Sequence, residues 1–161
     1  MSSSILVAGI GNLFLGDDGF GPEVVRHLGP LGDGVRVVDY GIRGMHLAYD
    51  LLDGPDALVL VDALPGPGRP GELVTLEVGP DDVGEGEFDA HGMDPVAVLS
   101  TVPKLGGTLP PTFLVGCRPA TLEEGIGLSP EVSAAVPAAA EAVHALVQRL
   151  VSNVVRIGGE D

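Results

Sequence analysis

The sequence has a single cysteine, Cys117, among 161 residues. That excludes an intramolecular disulfide framework and a metal site built from cysteine alone, and it fits a reducing compartment. Positive charge is equally scarce. Lys and Arg total 8, with Lys104 the one lysine, against 23 Asp and Glu, for a formal net charge of -15. A field of that sign opposes nucleic acid and anionic membrane surfaces, so neither is expected as a partner. The start, MSSSILVAGIG, has no basic stretch, and its apolar run is too short for an export signal or a bilayer span. A cytoplasmic protein is the expectation.

What is present is apolar and glycine-rich. Hydrophobic residues make up 45% of the chain, with 25 Gly and 14 Pro. Apolar runs recur throughout, so these are tight loops between packed elements rather than low complexity. No internal repeat or interdomain linker is visible, and the length suits one domain over residues 1–161, burying roughly 70% of its unfolded surface.

Ile5 to Ala8 is a short continuous apolar run ending at glycine, as in a strand covered on both faces. FGPEVVRHLGPLG follows, with Val24, Val25 and Leu28 at helical spacing, Pro22 acceptable in a first turn, and Gly29 and Pro30 as a stop. The pattern then predicts a second strand from Val35 to Asp39 and a helix from Met45 with Leu47, Leu51 and Leu52 inward. A third strand, Ala57 to Val61, has Asp62 at its end. PGPGRPG is too short for a crossover helix, so Glu72 to Val78 should pair antiparallel as an edge strand.

An acidic loop to Asp89 precedes a helix in MDPVAVLSTVPKL, and TFLVGC is a fifth strand. The last helix is expected from Ser129 as N-cap and Pro130 at the first position to about Leu150, kinked at Pro137. Its inward face carries Val136, Ala140, Val143, Val147 and Val151. The predicted fold is α/β, a three-layer α/β/α sandwich around a mostly parallel five-stranded twisted sheet with one antiparallel edge strand.

Ligands of such sheets bind beyond the carboxyl ends of the strands. Asp17 and Asp18 follow strand one, Asp39 ends strand two, Asp62 ends strand three and Cys117 ends strand five, so four acids are expected on one edge. The turn GIGNLFLGDDGFG raises the question of phosphate. A dinucleotide fingerprint needs glycine three residues after Gly11, where Phe14 stands, and Asp17 and Asp18 occupy the place of the pyrophosphate charge. Asp39 lies 28 residues after Gly11 rather than the usual 20 or so. Nucleotide binding is kept as the weaker alternative.

A cation explains the acids better. Two carboxylates about 4 Å apart repel by roughly 4 kcal/mol at an effective dielectric of 20. Asp18 and Asp62 therefore need a cation, a shared proton or separation. His91, in FDAHGMDP, follows the edge strand in a loop that must recross the sheet. Two carboxylates and one imidazole suit nickel or zinc better than calcium or magnesium. Each residue also has a plainer role. Asp17 and Asp18 suit the positive end of a helix, Asp62 a turn, His91 a loop, and Cys117 a buried apolar site with no local histidine to activate it. His27, His46 and His144 sit on predicted helices.

GIGNLFLGDDGFGPEVV, DYGIRG, LVLVDAL, DAHGMDP and GCRPATLEEGIGLSPEV occur in this order over nearly the whole chain. Together they resemble the hydrogenase maturation endopeptidases. The resemblance implies a cytoplasmic enzyme that recognises nickel in the precursor of a nickel-iron hydrogenase large subunit and removes its C-terminal extension. It makes Asp18, Asp62 and His91 the nickel-binding residues, with zinc or cadmium able to substitute in vitro. Asp39 becomes functional before a loop made pliable by Gly41 and Gly44. Two routes activate water, the metal itself or Asp39 as general base, and the second is favoured because it gives Asp39 a role. A monomer is the simplest state. A non-catalytic nickel-sensing chaperone would share the site without shortening the precursor.

Overall fold

The computed structural model describes residues 4–79 and 95–158. Five strands, β1 (Ile5–Ile10), β2 (Val35–Gly41), β3 (Ala57–Ala63), β4 (Leu73–Val78) and β5 (Thr112–Cys117), form one sheet in the order β2-β1-β3-β5-β4. The β1–β2, β1–β3 and β3–β5 pairs are parallel, and β4 runs antiparallel to β5 at the edge. The predicted sheet is therefore present. The short proline-rich connection before β4 does what its length requires, since only an antiparallel neighbour can be reached without a crossover.

Helices α1 (Phe20–His27), α2 (Gly44–Leu51), α3 (Pro95–Lys104) and α4 (Pro130–Gly158) cover both faces. Every residue of β1 and β3 is buried, as their continuous apolar runs require. Pleat alternation divides them between two cores. Ile5, Val7, Val59 and Val61 join Phe20, Val24, Val136, Val143 and Val147 beneath α1 and α4. Leu6, Ala8, Leu58 and Leu60 join Leu47, Leu51, Leu99 and Val102 beneath α2 and α3. Phe20 is fully buried, which stabilises the fold by about 3 kcal/mol and seats α1 on the sheet.

Several details differ from expectation, beginning with β1 and β3, which run on to Ile10 and Ala63 rather than ending at Ala8 and Val61. A 3-10 turn, Gly16–Gly19, precedes α1. β2 continues past Asp39 to Gly41 because a bulge opposite Gly9 and Ile10 adds a residue to the ladder. Leu52 is 39% exposed, since it caps α2 rather than continuing the buried stripe. α4 runs beyond Leu150 to Gly158 with Pro137 inside it.

Candidate functional site at the strand ends

The ends of β2, β1 and β3 lie side by side, and glycine lets α1 descend onto them. A Cβ on Gly21 would sit 2.2 Å from the carbonyl oxygen of Val61 and 2.3 Å from that of Ile10. One on Gly11, whose φ is +150°, would sit 1.8 Å from the carbonyl oxygen of Asp18. The two glycines thus press the segment bearing Asp18 against the ends of β1 and β3. The 3-10 turn itself packs on β3.

This turn leaves little for a phosphate. The N–H of Gly11 donates to the carbonyl of Gly41, that of Leu15 to Asn12, that of Gly16 to Gly125, that of Asp17 to Thr121 and that of Asp18 to Leu15. The Asn12 N–H donates to the Asp18 carboxylate at 2.8 Å, and the Phe14 N–H to the Asn12 side chain at 2.9 Å. A phosphate cradle needs such donors free and pointing outward. The protein has spent them on itself.

The two adjacent aspartates part company. Asp17 is 0% exposed. Its carboxylate accepts the N–H groups of Ala120 at 2.7 Å, Thr121 at 3.1 Å and Ser129 at 2.7 Å, and the Ser129 hydroxyl at 2.9 Å. Burial pushes its pKa up, but the hydrogen bonds from Ser129, Thr121 and Ala120 prevail and hold it below the ordinary 3.8. Asp17 therefore belongs to the loop 118–129, not to the acidic edge where it was expected. Neither it nor Asp18 caps α1, whose N-cap is Gly19 without a side-chain bond. Asp18 stays half-buried at the edge.

Asp62 is 6% exposed, near the end of β3 and opposite Gly116 of β5. Asp39 is in register with Gly9, and Gly9 with Val61. Asp39 thus starts on the α1 face of the sheet, while Asp62, one residue beyond Val61, starts on the other. The Asp39 Oδ1 accepts the Gly41 N–H at 2.9 Å and closes the bend after β2. Hence the edge brings Asp18 and Asp62 to adjacent strand ends and sets Asp39 on the next strand. His91 lies outside the described residues. Among the described residues no group of three or more His, Cys, Asp or Glu is arranged to hold a metal ion.

Cys117 is fully buried, and burial first, then the Asp17 carboxylate, pushes its thiol up to about 11. It is no nucleophile at neutral pH. Two arginines escaped the sequence reading. Arg43 donates to the carbonyl oxygens of Asp39 at 2.8 Å and Tyr40 at 3.2 Å. Arg118 donates to those of Leu64 at 2.9 Å and Pro65 at 3.3 Å. Arg43 holds the end of β2 and Arg118 the loop beyond β3, roles that no periodicity signals.

The family profile of HycI, hydrogenase maturation protease, matches residues 23–146. The chain belongs to the hydrogenase maturation protease family. Among its relatives is the hydrogenase expression/formation protein HupD of Rhodobacter capsulatus, 34% identical over 88% of this chain and 70% of its own. The hydrogenase 2 maturation protease of Escherichia coli is 32% identical over 89% of this chain and 90% of its own. The solved structure of the E. coli hydrogenase maturating endopeptidase HybD superposes with a TM-score of 0.79 at 32% identity, covering 91% of this chain and 93% of that one. The hydrogenase maturation protease HycI of Thermococcus kodakarensis superposes at 0.71 and 25% identity, covering 91% and 93%. The fold is that of the family, and no described helix is long and apolar enough to cross a membrane.

Proposed function

We propose that this family member is a cytoplasmic, monomeric endopeptidase that removes the C-terminal extension from the nickel-loaded precursor of a hydrogenase large subunit. The observation that supports this reading is that the turn carrying Asp18 packs against the strand ends with its N–H groups already used, beside Asp62 near the end of β3. The edge thus offers oxygen ligands to a cation and no cradle to an anion. Membership of a protease family supplies the reaction class.

In this reading Asp18, Asp62 and His91 hold the nickel of the substrate, with zinc or cadmium able to stand in for it. That grip fixes the precursor tail across the strand ends, where positioning lowers the barrier. Asp39 is the general base toward water. Because an asparagine Oδ1 still accepts the Gly41 N–H, Asp39→Asn removes the base and keeps the bend. It should retain metal binding and lose cleavage by at least a hundredfold. Cleavage at the native rate would take Asp39 out of the mechanism.

The test of function is mass spectrometry of large-subunit precursors from the same organism, nickel-loaded and nickel-free, before and after incubation with the protein. Loss of a C-terminal peptide from the loaded form alone is expected, and Asp18→Asn, Asp62→Asn and His91→Ala should each abolish it. A loaded precursor that is bound but keeps its full length would make the protein a nickel-sensing chaperone instead.

A further inference from the structure

On a chain of net charge -15, the groove between the edge strand β2 and helix α2 carries two arginines and a histidine against one aspartate. It encloses about 340 Å³ and is lined by Arg36, Val38, Tyr40, Arg43, His46, Tyr49 and Asp50. Arg36, Val38 and Tyr40 alternate along β2, so they share one face of the strand. Asp50, the one carboxylate of the lining, is already committed. It accepts the Tyr40 hydroxyl and lies 3.6 Å from the Arg36 guanidinium, which is thereby partly paired while its side chain stays 62% exposed to a second carboxylate. Among the described residues neither Arg43 nor His46 has a carboxylate within ion-pair distance.

Two further features give this groove a direction. Among the described residues no strand pairs with the outer edge of β2, which leaves a template for an extended segment. The other end of the groove is Arg43, whose guanidinium is fixed on the carbonyls of Asp39 and Tyr40 at the site. From Tyr40 to Arg36 is four residues, about 13 Å at the usual rise of a strand.

We propose that this groove is the subsite for the C-terminal extension of the precursor. The extension lies extended and antiparallel to β2, with a carboxylate about four residues beyond the strand ends held by Arg36 and His46. The inference rests on the endopeptidase reading for its substrate. Planar, bidentate pairing with an arginine favours a carboxylate, and the surrounding negative field disfavours a polyanion such as nucleic acid. That carboxylate is either the chain terminus or an Asp or Glu side chain.

The test uses the full-length protein and a fluorescein-labelled synthetic peptide with the sequence of the precursor's C-terminal extension, read by anisotropy. The double variant Arg36→Gln/His46→Gln should raise Kd at least tenfold and flatten its salt dependence. Arg149→Gln, which removes one positive charge from an exposed residue of α4, serves as control and should leave Kd unchanged. Should the double variant misfold by circular dichroism, Arg36→Gln alone takes its place, and changes in the peptide ask whether a carboxylate is what the groove reads. Loss of affinity on amidating its terminus assigns the chain end, and loss on changing its Asp and Glu to Asn and Gln assigns a side chain. Binding indifferent to both peptide changes, or no binding, overturns the proposal. Precursor cleavage by the unaltered protein is scored separately. Cleavage with carboxylate-independent binding sinks only this inference, whereas carboxylate-dependent binding without cleavage sinks only the endopeptidase reading.

Discussion

The bends after β1 and β2 meet through one bond, from the Gly11 N–H to the Gly41 carbonyl, yet they are held in opposite ways. The first is closed from within by a buried charge, Asp17, with four donors from a loop more than 100 residues away. The second is closed by the Asp39 carboxylate on the Gly41 N–H two residues on and, from outside, by an exposed guanidinium, Arg43, on two carbonyls of its own neighbourhood. A buried carboxylate cannot move without abandoning all its donors at once, whereas a surface arginine can exchange its bonds for water. The contrast predicts a rigid seat for Asp18 and an adjustable one for Asp39, which is what the proposed function asks of a nickel-gripping residue beside a loop that meets a peptide.

Asp17→Asn is the severest way to break this contrast. Asparagine turns an N–H toward donors that need an acceptor, so we expect a loss of about 3 kcal/mol in denaturant unfolding. An unchanged midpoint would deny the clamp any weight. The acid limb of stability is the next largest effect. Because folding lowers the Asp17 pKa below 3.8, its contribution is fully present above that value and lost as pH falls through the lower, folded pKa. Thermal melts of native and Asp17→Asn protein should therefore converge at strongly acidic pH.

Cys117 offers a third readout. Its buried thiol, pushed up to about 11, should resist alkylation at pH 8 until the chain opens. In Asp17→Asn the labelling rate should rise by roughly a hundredfold, the factor that about 3 kcal/mol implies when opening is at equilibrium. Equal rates would show that thiol access does not follow that opening. Arg43→Gln should do least to stability, about 1 kcal/mol or less, because its bonds are replaced by water. A loss near that of Asp17→Asn would erase the difference between the two bends.

The sheet was legible because burial writes itself into sequence. The apolar runs of β1, β3 and β5 and the proline-rich connection before β4 gave strand type and direction, and the inward stripe of α4 was found through Val136, Val143 and Val147. The acids at the strand ends were legible by position, since topology alone puts residues 18, 39 and 62 there. The fate of Asp17 was not. Whether an aspartate looks outward or folds into a distant loop depends on donors at residues 120, 121 and 129 that only the tertiary structure assembles. The bulge that carries β2 on to Gly41 was hidden for a similar reason, being a property of the β1–β2 ladder rather than of either strand.

Because the Asp17 partners lie 103 to 112 residues later, the seat of Asp18 is completed by a segment synthesised long after the turn itself. A nascent polypeptide that has exposed β1, β2 and β3 already bears Asp18, Asp39 and Asp62 but lacks the Asp17 clamp on the turn that presents the first of them. Synthesis order thereby acts as a timer. The turn gains its Asp17 clamp only after residues 120–129 have been made, and a fragment ending before residue 118 would carry Asp18, Asp39 and Asp62 without that clamp.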